Sequence, residues 1–204
     1  MSYSAGTLPE GFNLVVATHI SLCDECRARM MEFDAVGGAV VDVQDPVEMA
    51  SGSLAATMAK ISAQNDDAPV PLAKPMTSGV FPTPLRDYVG GDLDSVKWRK
   101  VGGGVSQAVL KVDKSTSVRL LHIPAGTKVP DHGHRGTELT LVLQGAFKDE
   151  VDHFGKGDIE VATQELDHQP VADEGEDCIC LAATDAPLRF NAWLPRIAQP
   201  FLRM

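Results

Sequence analysis

The chain has 204 residues and a mass of 21.8 kDa, which allows one large domain or a small domain beside a medium one. With 44% hydrophobic and 23% charged residues, its composition is that of a globular protein and excludes wholesale disorder or a collagen-like fibre. The formal net charge of −10 at pH 7 disfavours direct binding to nucleic-acid phosphates and favours a basic protein partner.

The sequence carries no visible targeting or membrane signal. No apolar run approaches the roughly 18 to 20 residues that a transmembrane helix needs. The apolar stretch at residues 12–17 is too short for a signal peptide, and no Lys or Arg precedes it. The chain's 4 cysteines are too few for a disulfide scaffold at this length. We therefore expect a cytoplasmic protein in a reducing compartment.

Residues 1–68 predict a small helical module. Pro9 suits the first turn of a first helix, and the Cys23-Asp24 pair suits a break before a second. Gly37-Gly38 should weaken or end the second helix, and residues 53–62 predict another short amphipathic helix. Apolar side chains recur here at steps of three or four residues: Leu14, Val15, Thr18, Leu22, Cys26, Met30, Phe33 and Val36.

The charge is concentrated in the same module. Residues 1–68 contain ten acidic and three basic side chains, so they carry −7 of the total charge of −10. Such a distribution fits either a solvated helical face or a surface for a basic partner.

The rest of the chain predicts a linker followed by a β-domain. Five prolines fall in the sixteen residues 69–84, which is typical of an extended, semi-rigid linker. Residues 85–204 contain short β-branched or alternating runs separated by Gly, Pro and Asp, as in a sandwich or barrel. The runs lie at residues 118–123, 138–143, 158–161 and 178–181.

The first candidate site is a His-x3-Cys-x2-Cys pattern formed by His19, Cys23 and Cys26. On a helix, or a helix followed by a tight turn, these offsets place the three side chains on one side. Imidazole and thiolate are preferred ligands of tetrahedral zinc. A chance trio and a metal-free redox pair are the alternatives, although the β-α-β context of thioredoxin-like motifs is missing. A fourth donor would be a carboxylate, water, a partner residue or a residue preceding this chain.

The second candidate site lies in the predicted barrel. Residues 126–145 fit the pattern G-x5-H-x-H-x3-E-x6-G, which contains His132, His134 and Glu138. Two histidines two apart on an extended strand point to the same side, and the glutamate adds a carboxylate. A later block supplies His168. Three imidazoles and one carboxylate suit Zn, Fe, Mn, Ni or Cu.

The remaining cysteines and histidines are less specific. Cys178 and Cys180 are two apart in a predicted strand and share a face. They are either small buried hydrophobes or a redox-active pair, which requires an accessible thiolate. His122 and His153 have no partner at metal-binding spacing, so we expect neither to be a ligand.

The histidine motifs resemble those of the cupin superfamily in order and spacing, with Gly155 where a proline is usual and Ala172 in place of a frequent asparagine. With the upstream His-x3-Cys-x2-Cys pattern and the proline-rich join, the chain resembles the ChrR family of cupin-containing zinc anti-sigma factors. The resemblance spans nearly the whole chain and is carried by residues 15–19, 22–29, 35–38, 131–136, 139–147 and 177–190.

The resemblance implies a multidomain α and β protein. A small helical anti-sigma domain at residues 1–68 would be joined by residues 69–84 to a cupin at residues 85–204, a double-stranded β-helix or jelly-roll barrel. The first domain would bind zinc through His19, Cys23 and Cys26. The cupin would bind zinc or another divalent transition metal through its own four residues: His132, His134, Glu138 and His168.

The same resemblance implies a function. The helical domain would keep an extracytoplasmic-function sigma factor from RNA polymerase, and the cupin would be needed to release it on singlet-oxygen or organic-peroxide stress. No direct contact with nucleic acid or membrane is expected, and no enzymatic activity is expected either.

The family usually has a further histidine before the segment that begins here at Tyr3, and this chain has no counterpart. Two alternatives remain: a cupin metalloenzyme, such as a dioxygenase or isomerase, and a zinc-stabilised scaffold for a different protein.

Overall fold

The computed structural model describes residues 1–63, 79–110 and 115–190. Helices come first: α1 (Glu10–Ile20), α2 (Asp24–Asp42), α3 (Ser53–Ala63) and α4 (Thr83–Val89), followed by one 3-10 turn at Leu93–Ser95. The described chain beyond that turn forms strands. None of the described helices is long and apolar enough to cross a membrane. Residues 69–78, most of the predicted linker, lie outside the described residues.

The helix boundaries follow the sequence signals closely. Pro9 precedes the first residue of α1, and Cys23 is the N-cap of α2, where a break was expected. The one difference is at Gly37 and Gly38, through which α2 continues. A glycine costs an exposed helix interior only about 1 kcal/mol, which is too little to end a helix of 19 residues.

The strands form a jelly-roll arrangement in which every named pair is antiparallel. The strands are β1 (Arg99–Gly102), β2 (Val105–Leu110), β3 (Ser117–Ile123), β4 (His132–Gly133), β5 (Glu138–Gln144), β6 (Ala146–Lys148), β7 (His153–Gly155), β8 (Ile159–Ala162), β9 (Asp167–His168), β10 (Val171–Ala172), β11 (Cys178–Thr184) and β12 (Arg189–Phe190). The main sheet has six strands in the order β1-β2-β3-β11-β5-β8, and two three-stranded sheets have the orders β10-β6-β7 and β12-β4-β9.

The central strand β11 separates two apolar cores. It pairs with β3 on one side and β5 on the other, and all of its residues are buried. Because side chains alternate along a strand, Ile179 and Leu181 enter one core while Cys178 and Cys180 enter the other. The first core lies under the helices, and the second lies inside the barrel with Phe147 from β6.

The helix α1 is built into the core beneath the helices. Phe12, Leu14 and Val15 are buried in it together with side chains of β3, β5 and β11. Gly11 lies so close to the sheet that a Cβ there would stand 2.5 Å from both Thr116 Oγ1 and Val118 Cγ2. The docking of α1 therefore depends on a residue without a side chain.

The end of the predicted linker also belongs to this core. Phe81 is only 1% exposed, and Leu85 of α4 is fully buried beside it. Residues 79–84 thus pack against the sheet. The domain boundaries inferred from the sequence stay a prediction, but the apolar core contains residues from both sides of them. In contrast, α2 and α3 have no buried residue.

Candidate metal centres

The first candidate centre forms where α1 ends and α2 begins. His19 lies in the last turn of α1, Cys23 caps α2, and Cys26 lies in the first turn of α2. One potential ligand atom from each of the three lies within 4.8 Å of the others. A helix followed by a tight turn therefore brings the three residues together, as the spacing predicts. None of the other described His, Cys, Asp or Glu side chains joins this group.

A backbone hydrogen bond in this group suits a thiolate. The backbone N–H of Cys26 donates to Cys23 Sγ at 3.5 Å, at the positive end of the α2 dipole. Burial, followed by the hydrogen bond and charge of Cys23, raises the pKa of Cys26. A metal ion bound between the two sulfurs would lower the pKa of both thiols, because it binds the thiolate form. One imidazole and two thiols are a donor set that fits zinc.

The second candidate centre is a cluster of three histidines inside the barrel. Strand β4 pairs with β9 so that His132 lies opposite His168, and His134 follows two residues after His132. One ring nitrogen from each lies within 4.8 Å of the others, and the Nε2 atoms of His134 and His168 are 3.2 Å apart. All three residues are buried. The histidines predicted from the two motifs therefore converge.

Two of these imidazoles are held in the neutral form. Burial lowers the pKa of His132 to about 4, and burial together with the charges of His132 and His168 lowers that of His134 to about 4. Neutral imidazoles offer the lone pairs that a metal needs. His134 Nδ1 is also buried, and it has no hydrogen-bond partner among the residues that the structure describes. The cluster therefore fits a divalent transition metal.

Two carboxylates that the sequence analysis missed hold the third imidazole. His168 Nδ1 donates to Asp149 Oδ2 at 2.6 Å and lies 3.1 Å from Glu160 Oε1. Although burial opposes the charged form, these two partners raise the pKa of His168 to about 9 in the metal-free protein. Carboxylates behind a metal-bound histidine fix its ring and tautomer. Glu160 could have been found as an acidic residue at an inward position of β8, but Asp149 lies in a turn without such a signal.

Glu138 lies apart from the three-histidine cluster. It begins β5, accepts a hydrogen bond from Thr140 Oγ1 at 3.2 Å, and is not in either group of potential ligands that contains His168. Burial raises the pKa of Glu138 to about 7, against the opposing charge of Arg119. Its role as a ligand, inferred from the motif, stays a prediction.

The paired cysteines of β11 lie inside the barrel as neighbouring thiols. Their sulfur atoms are 3.4 Å apart, and both residues are buried and free. The hydrogen bond with Cys178 and burial raise the pKa of Cys180 well above its usual value. The geometry suits a small buried pair, and their redox role stays a prediction.

His122 and His153 make other contacts. The Nε2 atom of His122 lies 2.8 Å from Asp177, and that of His153 lies 2.7 Å from Asp173. Neither histidine joins a potential metal-binding group within the described part of the chain.

A jelly-roll barrel with buried histidines at its centre, preceded by helices with a His/Cys cluster, defines a cupin protein with a helical N-terminal region. A sequence model described as the ChrR cupin-like domain matches residues 87–187. The Anti-sigma-E factor ChrR of Cereibacter sphaeroides is 59% identical over 204 residues, which are 100% of this chain and 94% of that protein.

The structural comparison agrees with the sequence comparison. The fold matches the crystal structure of Rhodobacter sphaeroides SigE in complex with the anti-sigma ChrR, with a TM-score of 0.79 and 58% identity. The match covers 90% of this chain and 93% of that chain. The chain therefore belongs to the ChrR family of anti-sigma factors, and the predicted family and fold class are confirmed.

Proposed function

We propose that this protein is a cytoplasmic anti-sigma factor that binds an extracytoplasmic-function sigma factor and keeps it from RNA polymerase. The observation that carries the proposal is the 59% identity over the full chain to a protein named Anti-sigma-E factor ChrR. The match to ChrR in complex with SigE supports the same kind of partner.

The exposed surface of α2 and α3 supports a protein partner. Within the described residues, most exposed large apolar side chains lie between residues 22 and 61. Val36, Val40 and Val41 protrude from α2, and Leu54 and Met58 from α3. Surfaces with many exposed apolar groups commonly mark binding sites. The net charge of −7 over residues 1–68 suits a partner with a basic face.

Metals complete the proposal. Zinc on His19, Cys23 and Cys26 would join α1 to α2. A zinc or other divalent transition metal in the barrel would bind His132, His134 and His168, with Glu138 as the candidate fourth ligand. When bound, it would supply a Lewis-acidic or redox-active centre. The barrel metal would serve release of the sigma factor on oxidative stress of the singlet-oxygen or organic-peroxide type.

The decisive experiment measures binding of the full chain to the extracytoplasmic-function sigma factor from the same organism, and inhibition of transcription by it. V40D and L54D should each weaken binding, because they place charge on the exposed faces of α2 and α3. V161D, at an equally exposed position on β8, is the matched control and should bind normally. A wild-type chain that neither binds the sigma factor nor inhibits transcription would overturn the proposal.

The stress response needs a separate test. The complex with the sigma factor should dissociate when exposed to an organic hydroperoxide, whereas the complex of the H132A/H134A variant should persist. Equal dissociation of both complexes would contradict a role for the barrel metal. The metalloenzyme alternative loses its support here, because the relative that is 59% identical over the full chain is named an anti-sigma factor.

A further inference from the structure

A hydrogen bond joins the first candidate metal centre to the barrel. The Nδ1 atom of His19, at the end of α1, lies 2.9 Å from the backbone carbonyl oxygen of Gly157, 138 residues further along the chain. Gly157 lies in the turn between β7 and β8. A residue of the cupin barrel therefore contacts a candidate ligand of the N-terminal zinc directly.

The chemistry of this hydrogen bond selects one ring nitrogen of His19. A carbonyl oxygen only accepts hydrogen bonds, so His19 Nδ1 must carry the proton and donate it. The lone pair then lies on Nε2, which is left for the metal. Partners of this kind orient metal-bound histidines and contribute to metal affinity.

The barrel holds the carbonyl of Gly157 in place through its own hydrogen bonds. Gly157 N donates to Val142 O at 2.8 Å, and Val142 N donates to Asp158 O at 3.0 Å. The turn is closed by the Asp158 side chain, whose Oδ2 accepts from Gly155 N at 2.8 Å. Gly157 has a φ of +94°, which only glycine adopts without strain. Val142 is fully buried in the barrel interior beside Cys178 and Cys180.

We infer that the turn at residues 155–158 is a positioning element for the N-terminal metal centre, holding His19 in the orientation that binds the ion. A change in the barrel that moves this turn changes the metal affinity of the His19, Cys23 and Cys26 site. The inference rests on the proposed zinc at these three residues.

The packing gives this contact a consequence for the partner surface. The core fixes α1 on the barrel, whereas α2 has no buried residue. Within the described chain, three links join α1 to α2: the short segment at residues 21–23, a hydrogen bond from Arg27 Nη1 to Ile20 O at 3.2 Å, and the cluster of His19, Cys23 and Cys26. Losing the His19 orientation therefore weakens one of the links that hold α2, which carries part of the proposed sigma-binding surface.

The test replaces zinc with cobalt(II) in the full chain and follows the thiolate-to-cobalt absorption. The histidine cluster of the barrel contains no sulfur, so this absorption reports Cys23 and Cys26, and a C23S/C26S variant confirms the assignment. Competition with a chelator then gives the affinity. G157A, which strains the turn, and D158A, which removes the side-chain acceptor for Gly155 N, should each weaken cobalt binding about 10-fold or more.

A matched control variant distinguishes loss of the His19–Gly157 hydrogen bond from the general effect of backbone strain. Gly126 has a φ of +70°, and a Cβ added there would meet a single neighbour near 4 Å, as at Gly157, but Gly126 lies in another turn of the barrel. G126A should keep wild-type cobalt affinity. Circular dichroism and thermal unfolding show whether each variant folds, and D158A serves if G157A does not fold.

A second measurement needs no variant. In the zinc-loaded wild-type protein, ¹⁵N NMR of His19 should show a protonated Nδ1 and a metal-bound Nε2. The inference is overturned if the metal is on Nδ1, or if folded G157A or D158A binds cobalt as well as G126A does. If the wild-type chain gives no thiolate-to-cobalt absorption, the proposed zinc site fails and the inference fails with it.

Discussion

Two carboxylates, those of Asp149 and Glu160, contact Nδ1 of His168. This arrangement suits a metal-binding histidine better than a free one. Asp149 uses its two oxygens differently. Oδ2 accepts from His168, while Oδ1 accepts from the backbone N–H groups of Val151 and Asp152 at 2.9 and 3.0 Å. Hydrogen bonds from the backbone of its own turn thus hold the Asp149 carboxylate in place, and the carboxylate in turn orients the imidazole of His168. This places Nε2 of His168 toward His134.

We expect D149N to lower the affinity of the barrel site for zinc by about 10- to 100-fold. The asparagine oxygen can still cap the turn, but its NH₂ group faces His168 Nδ1 and cannot accept its proton. Chelator competition on the full chain measures the loss. D152N is the control, because Asp152 caps an exposed backbone N–H of the same turn region. Equal affinity of D149N and wild-type protein would remove Asp149 from the site.

The thiols of the barrel should react slowly despite lying side by side. Cys178 and Cys180 are buried, and the pKa of Cys180 is raised by their mutual hydrogen bond and by burial. Because the thiolate is the reactive form, we expect iodoacetamide at pH 8 to alkylate Cys23 and Cys26 in metal-free protein well before this pair. Mass spectrometry of timed digests measures the order. Early modification of Cys178 or Cys180 would show that the barrel interior is open to reagents.

The helices divide into two kinds according to what they bury. Helices α1 and α4 place Val15 and Leu85 into the core beneath the helices, whereas α2 and α3 have no buried residue and expose most of their large apolar side chains. The first pair contributes to the stability of the isolated chain. The second pair gains its burial only when a partner covers it.

A pair of leucine substitutions separates these roles. L85A should reduce the free energy of unfolding by about 2 to 5 kcal/mol, because it removes a fully buried side chain from the core. L54A should change it by less than about 0.5 kcal/mol, because Leu54 is 75% exposed. Denaturant unfolding monitored by circular dichroism measures both. A large loss of stability in L54A would show that α3 packs within the isolated chain.

Much of the fold followed from local signals in the sequence. Pro9 and Cys23-Asp24 marked the start of α1 and the break before α2, and the alternating runs located the centres of four barrel strands. The histidine spacings brought both candidate centres together because they depend on one turn and on one strand pair.

What the sequence did not reveal depends on contacts between distant segments. The apolar side chains of α1 and α2 have the same helical spacing, and spacing does not say which helix meets the barrel. Likewise, Asp149 contacts His168 only because short strands pair, and Gly157 contacts His19 although the two residues are 138 positions apart in the sequence. The hydrogen bond from Thr140 to Glu138 was likewise not predicted, and the role of Glu138 as a ligand stays a prediction.

At the scale of the whole molecule, the helical region and the barrel share a core, so cutting the chain between them should not separate them. Phe12, Leu14 and Val15 lie on one side of residues 64–78, while Phe81, Leu85 and the barrel lie on the other. We expect a chain with a protease site inserted between residues 63 and 79 to remain a single species in gel filtration after cleavage. Adding V15D should release the N-terminal piece, because it buries a charge where Val15 is fully buried. V36D, on the exposed face of α2, should leave the pieces together. Separation of the cleaved wild-type pieces would contradict a shared core and would return the two regions to the independent domains that the sequence predicts.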